Sequence, residues 1–232
     1  MAPKRLPKVY LVRHGETEWT INGRHTGVTD LLLTANGEAI MLKLGSKAVG
    51  PGKIIDPNLL STVLVSPRLR AKRTFELIFS HLSEKPPHII EEGVREWTYG
   101  DYEGFYKHEA AAARKAKGLP SGEGGWDIWV DGCEGGESPE EMTARVDEVI
   151  KSIKETHRAW VEHPDRKNGD EGGDVVIISH GHFSRCFLTR WLNLPLTNGR
   201  LFVLDPGGVC VMQYYHHDMD KPMLGAMNLG LV

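Results

Sequence analysis

The sequence predicts an α/β fold: a three-layer α/β/α sandwich with a mostly parallel sheet and an antiparallel edge. Three observations carry this. Short, largely apolar runs (Val9 to Val12, Leu60 to Val65, Val175 to Ser179) have the length and β-branched content of strands buried on both faces. Between them lie segments with apolar residues at helical spacing, the alternation expected of parallel strands joined by helices. Near the end, Leu201 to Leu204 and Val209 to Tyr215 flank Asp205-Pro206-Gly207-Gly208, which reads as a hairpin and so as an antiparallel edge.

Taken in order, the first strand ends abruptly at Arg13-His14-Gly15, and Glu16 to Asp30 has too few periodic apolar residues for a helix. Leu33 to Ala48 reads as a helix with Thr34 as its N-cap, ended by Val49-Gly50-Pro51-Gly52. After the second strand, Ser66 supplies an N-cap and Pro67 a first helical residue, for a helix to about His81. Pro86-Pro87 precedes a strand over His88 to Glu91, and the alanine-rich Glu103 to Lys117 is helical. Residues 118–136 hold seven glycines with Trp126 and Trp129 among them; a long glycine-rich loop that keeps two tryptophans reads as an ordered flap over the site.

Ser138, Pro139, Glu140 and Glu141 then start a long helix to about His163, with an N-cap, a proline at the first position and acids in the first turn. Asn168 to Asp174 is a Gly/Asp turn region, expected to be mobile, and a helix over His182 to Leu192 follows the strand from Val175. No internal repeat or linker divides the chain, so residues 1–232 are expected to form a single domain.

The composition narrows the class of protein. With 40% hydrophobic and 25% charged residues among 232, the chain can bury a substantial core. A net charge of −3 offers no global attraction for nucleic acid or anionic membrane. There is no secretory signal pattern in Met1 to Lys8 and no apolar run approaching the roughly 18 residues of a membrane span. Cys133, Cys186 and Cys210 are odd in number and widely spaced, which argues against a disulfide framework and fits a reducing, cytoplasmic setting.

Function is concentrated at strand ends. In α/β sheets ligands bind beyond the carboxyl ends of parallel strands. Here two such ends deliver the same dipeptide, His14-Gly15 and His180-Gly181. One histidine beside an arginine says little, but two strand-terminal copies can converge on one site.

These motifs resemble the histidine phosphatase superfamily, also called phosphoglycerate mutase-like, over about Val9 to His217. Arg13 to Trp19, Thr26 to Leu31, Ser66 to Ala71, Arg95 to Gly104 and Tyr215 to His217 are similar to its fungal sedoheptulose-1,7-bisphosphatase branch. The resemblance implies a phosphoric monoester hydrolase that takes small phosphorylated metabolites, uses no cofactor or metal, and needs neither nucleic acid nor membrane. It implies His14 as the nucleophile that becomes phosphorylated, with Arg13 donating to the phosphate. His180 is the second pocket histidine, expected to donate to phosphoryl oxygens, and Arg70, four residues after Ser66, completes the pocket. Arg68 and Arg73 fall at rim or surface.

Glu96, between Arg95 and Trp97, is implied as the general acid and later the base for water. Substrate-binding positions implied by the branch are His25, Thr26, Tyr99, Arg185 and His216, with Arg185 as the cation for a second phosphate. Two departures weaken the sugar assignment: the chain passes from Leu192 to Leu201 without the long insertion associated with the yeast bisphosphatase, and Thr98 stands where the branch tends to carry an acid. A phosphoglycerate mutase-type phosphotransferase, a metal-dependent hydrolase and a non-catalytic phosphate-binding module are the competing readings. The oligomeric state stays open, a homo-oligomer included.

Overall fold

The computed structural model describes residues 5–122, 125–163 and 172–230. Among them, β1 (Val9–Arg13), β2 (Leu60–Val65), β3 (His88–Ile90), β4 (Asp174–Ser179), β5 (Val209–Tyr214) and β6 (Pro222–Leu229) form one sheet. Its order is β3-β2-β4-β1-β5-β6. The first four strands of that order run parallel, β5 is antiparallel to β1, and β6 is antiparallel to β5. The expected mostly parallel sheet with an antiparallel edge is therefore present.

Two apolar layers cover the sheet, because successive strand residues point to opposite faces. Val9 and Leu11 join a cluster with α6 (Pro139–Glu162) and α7 (Gly181–Trp191), including Val146, Phe183 and Phe187. Tyr10 and Val12 join the other, with α2 (Ala35–Ala48) and α3 (Leu69–Ile78), including Met41, Leu44, Phe75 and Ile78. The local signals for these helices are met at two starts. Thr34 accepts from the Gly37 N–H, and Ser138 forms a capping box with Glu141 ahead of Pro139.

Several expectations need correction. Leu201 to Leu204 is not a strand: a 3₁₀ turn covers Leu196–Leu201 and the chain then runs extended without pairing. The hairpin partner of β5 is β6, whose edge position is half-buried and whose sequence, with proline, glycine and no β-branched residue, gives little strand signal. A short helix, α1 (Glu18–Asn22), occupies the stretch expected to be irregular; it buries none of its residues, so it leaves no apolar period. It is held instead by a Thr17–Thr20 capping box and by Gly23 at φ 84°.

Ser66 does not cap α3, which begins at Leu69 after Arg68; the serine hydroxyl is taken by His180. The alanine-rich helix, α4 (Lys107–Ala116), starts later than expected because Glu103 is used to bind the Gly27 and Thr29 N–H groups. In the glycine-rich segment, α5 (Ile128–Asp131) forms, and Trp126 and Trp129 are buried at 2% and 6% exposure. Residues 123 and 124 of that segment, and most of the turn region expected to be mobile over 168–174, lie outside the described residues. No helix of the described residues is long and apolar enough to cross a membrane.

Gly100 locks this segment to the loop after β3. It sits at φ 54°, and an added Cβ would lie 2.2 Å from the Glu134 carbonyl oxygen and 2.3 Å from the Gly136 nitrogen. Both obstacles are backbone and cannot swing aside. Gly100→Ala is expected to destabilise the fold by about 3 kcal/mol or more, seen in a thermal melt as a fall of roughly 6–12 °C.

Candidate active site

The site grows from the pairing of β1 with β4. Arg13 lies opposite Ser179, so the next residue of each strand, His14 and His180, leaves the same end of the sheet side by side. Their rings meet edge-on with centroids 5.1 Å apart. The His14 backbone N–H still donates to the Ser179 carbonyl at 2.9 Å, which extends the ladder to the histidine itself.

His14 is held in one tautomer. Its Nδ1 lies 2.7 Å from the Gly15 carbonyl oxygen, an atom that only accepts, so Nδ1 carries the proton and Nε2 keeps its lone pair. Burial, then the charges of Arg70 and Arg13, push its pKa well below the ordinary imidazole value. The ring is therefore neutral at neutral pH.

Behind it, Arg70 and His180 form a fixed unit. Arg70 Nε donates to His180 Nδ1 at 3.1 Å, so Nε2 of His180 carries the proton and donates to Ser66 Oγ at 2.6 Å. Arg70 Nη1 donates to the Thr29 carbonyl and Nη2 to those of Thr26 and Gly27. Both side chains are fully buried. Burial and then the Arg70 charge hold His180 well below its ordinary pKa. His180 was expected to donate to phosphoryl oxygens; here its Nε2–H is held by Ser66 Oγ, and neither His180 nor Arg70 is among the residues lining the cavity in front of His14.

In front of His14 opens a cavity of about 310 Å³, lined among others by Arg13, His14, Thr26, Glu96, Tyr99 and Arg185. His25 lines it too, with Nδ1 held at 2.8 Å by the Phe105 carbonyl. Arg13 donates through Nη1 to the Leu204 carbonyl at 2.6 Å, and its buried Nε has no hydrogen-bond partner among the described residues. Arg185 donates through Nε to the Gly199 carbonyl and lies 4.7 Å over the Trp129 ring. Among the described residues Arg13, Arg70 and Arg185 form no ion pair. Three guanidinium groups, partly or wholly buried and with no carboxylate at ion-pair distance, make a wall suited to an anion.

Glu96 lines this cavity, as does Asp205. The Glu96 oxygens accept from the backbone N–H groups of Trp97, His182 and Phe183 at 2.7–3.0 Å, two of them in the first turn of α7. The loop carrying Glu96 is braced by Arg145, which donates to the Gly93 and Arg95 carbonyls and forks onto Glu137.

His216 is not brought to the site. Because β5 is antiparallel to β1 (Val12 opposite Val209, Val9 opposite Met212), a residue beyond Tyr214 emerges at the end of the sheet away from His14. His216 is exposed there against the Tyr215 ring. The sequence shows histidines after a strand but not the direction of that strand. The His217 side chain lies outside the described residues. Arg73 is at the surface, paired with Glu38, as expected. His182, which lines the cavity and whose Nδ1 is 2.7 Å from the Tyr99 hydroxyl, was missed; its only signal was the repeat in His180-Gly181-His182. Among the described residues, no three His, Cys, Asp or Glu side chains group as a metal site.

The profile of the histidine phosphatase superfamily (branch 1) matches residues 9–224. Sedoheptulose 1,7-bisphosphatase of Saccharomyces cerevisiae is 34% identical, the match covering 96% of this chain and 93% of that protein. That alignment spans 260 positions against the 232 residues here, so the yeast protein carries segments this chain lacks. An acid phosphatase of Mycobacterium tuberculosis is 31% identical, covering 94% of this chain and 92% of that protein. The solved structure of an open reading frame product of Mycobacterium tuberculosis superposes with a TM-score of 0.73 at 30% identity, covering 97% and 98% of the two chains.

The buried histidines make stability depend on pH. His14, His180 and His182 all sit well below the ordinary imidazole value, with burial as the first cause, and burial holds His157 at about 3. Below about pH 6.5 the unfolded chain binds more protons than the folded one, so the unfolding free energy falls as pH falls. Each such histidine contributes up to about 1.4 kcal/mol per pH unit. Urea midpoints are expected to be lower at about pH 5 than at about pH 7.5, and the slope shallower in His157→Gln; equal midpoints would contradict this account.

Proposed function

We propose, from the premise that this chain belongs to the histidine phosphatase superfamily (branch 1), that it hydrolyses phosphomonoesters of small metabolites through phosphorylated His14. As a phosphoric monoester hydrolase it needs a nucleophile, positive charge around the phosphoryl oxygens and a proton for the leaving group. The observation that carries the reading is the neutral His14, its Nδ1–H tied to the Gly15 carbonyl and its Nε2 without a partner among the described residues, beside arginines that form no ion pair there.

The His14 Nε2–P bond forms as the ester P–O bond breaks, and the departing alkoxide takes a proton from Glu96. Glu96 then accepts a proton from water as the oxygen attacks phosphorus, the N–P bond breaks, and inorganic phosphate leaves. Arg13, at the cavity wall, meets the phosphoryl oxygens. Arg70 and His180 act as positioning residues: they fix the ring environment of His14 and add positive potential behind it. No step in this scheme draws on a metal or cofactor.

A sugar bisphosphate, such as sedoheptulose 1,7-bisphosphate, is the substrate class supported best. Arg185, unpaired and half-buried on the same cavity, is available for a second phosphate, with His25, Thr26 and Tyr99 along the body of the ligand. The similarity to the yeast sedoheptulose 1,7-bisphosphatase favours the same class.

His14→Ala is expected to abolish phosphate release, at least about 10³-fold, and to prevent the phosphoryl mass increment on the protein after an acid quench avoided in favour of alkali. Glu96→Gln is expected to slow turnover about 10²–10³-fold. Full activity of His14→Ala, or loss of wild-type activity in chelator, would overturn the scheme. A substrate panel of sugar mono- and bisphosphates, phosphoglycerates and phosphopeptides tests the class; preference for six- or seven-carbon bisphosphates should be lost on Arg185→Ala.

A further inference from the structure

The cavity in front of His14 does not end at the sugar-facing wall. A second cavity of about 620 Å³ adjoins it, sharing His25, His182 and Arg185 and lined beyond them by Trp126, Trp129 and Arg200. The shared residues form the passage between the two. His25 and His182 stack at 6.2 Å with an interplanar angle of 26°, and Trp129 and Tyr99 close on His182 at 5.4 and 5.8 Å.

The hydrogen bond to Tyr99 decides what His182 shows to that passage. Two arrangements satisfy the 2.7 Å contact between the Tyr99 hydroxyl and His182 Nδ1. If Nδ1–H donated, the phenol proton would have no acceptor among the described residues. If the phenol donates, its proton is satisfied and the imidazole proton sits on Nε2. Tyr99 stays protonated, since burial and then the Glu96 charge push its pKa up, and His182 stays neutral, since burial and then Arg185 push its own down. Among the described residues Nε2 has no hydrogen-bond partner, and the His182 ring lines both cavities, so that N–H is the donor it offers there.

We infer that His182 is a specificity-determining residue: its Nε2–H, held by Tyr99, donates to an oxygen on the body of a phosphorylated polyhydroxy substrate that spans both cavities. The reactive phosphate lies beside His14, the carbon chain crosses His182, and the far end reaches the tryptophan-lined chamber. The inference rests on the phosphatase reading above and adds to it a residue and a substrate length. The side chain is separable from the catalytic acid, because Glu96 contacts His182 only through the backbone N–H, which any substitution except proline keeps.

The test is the ratio of kcat/KM for fructose 1,6-bisphosphate to that for p-nitrophenyl phosphate, whose ring carries no hydroxyl. Phenylalanine fits an aromatic surround and removes the donor, so His182→Phe is expected to lower the ratio about tenfold, mostly through KM for the bisphosphate. His182→Gln, which restores an N–H of similar reach, should recover it to within about threefold, and Tyr99→Phe should lower it in a way not additive with His182→Phe. An unchanged ratio in His182→Phe, or an equal fall for both substrates, would overturn the inference while leaving the phosphatase reading intact. A wild-type protein inert toward both esters would remove that reading and the inference with it.

Discussion

The register between β1 and β4 is the constraint on which the rest depends. Side chains alternate along a strand, so slipping either strand by one residue would move its histidine to the other face of the sheet. With Arg13 opposite Ser179, both chains leave the sheet together and His14 meets His180. The register is protected from both sides: Val9, Leu11, Val175 and Ile177 belong to one apolar cluster and Tyr10, Val12, Val176 and Ile178 to the other. Neither strand can slide without exposing one set and burying the wrong one.

Around that pair the protein assembles positive charge and withholds the ion pairs that would quench it. Burying a cation without a counter-ion is costly, and the cost is limited by hydrogen bonds. Arg70 is satisfied by three carbonyls and an imidazole, Arg13 by the Leu204 carbonyl and Arg185 by that of Gly199. Carbonyl oxygens neutralise the donors but not the charge, so the electrostatic demand for an anion remains. The same charges, with burial as the larger cause, keep His14 neutral. Glu96 is kept from pairing with the arginines by three backbone N–H groups that hold its oxygens.

The glycine-rich segment and the chain after α7 supply shape. Trp126 packs on His25 and Tyr102, Trp129 on Trp97, and Arg185 lies over Trp129. The expected flap is thus, in its described residues, an aromatic wall joined to the site. Residues 202–204 line the cavity, and Leu204 uses a free carbonyl to hold Arg13.

The parts determined by the sequence alone are those with short-range signals. Buried strands, capped helices and the two strand-terminal His-Gly pairs are written in contiguous residues and suffice for the fold class and the positions of His14 and His180, while Glu96 was pointed to only by the resemblance of the Arg95 to Gly104 stretch to the family. Tertiary structure decided what contiguous residues cannot encode. The direction of β5 sends His216 to the far end of the sheet, and Ser66 serves His180 rather than a helix start. The carbonyls of Thr26, Gly27 and Thr29 draw Arg70 behind His14 instead of into the cavity, and Tyr99 settles which nitrogen of His182 carries the proton. Each of these depends on a hydrogen bond between residues far apart in the chain, where one donor or acceptor has several suitors and only packing chooses among them.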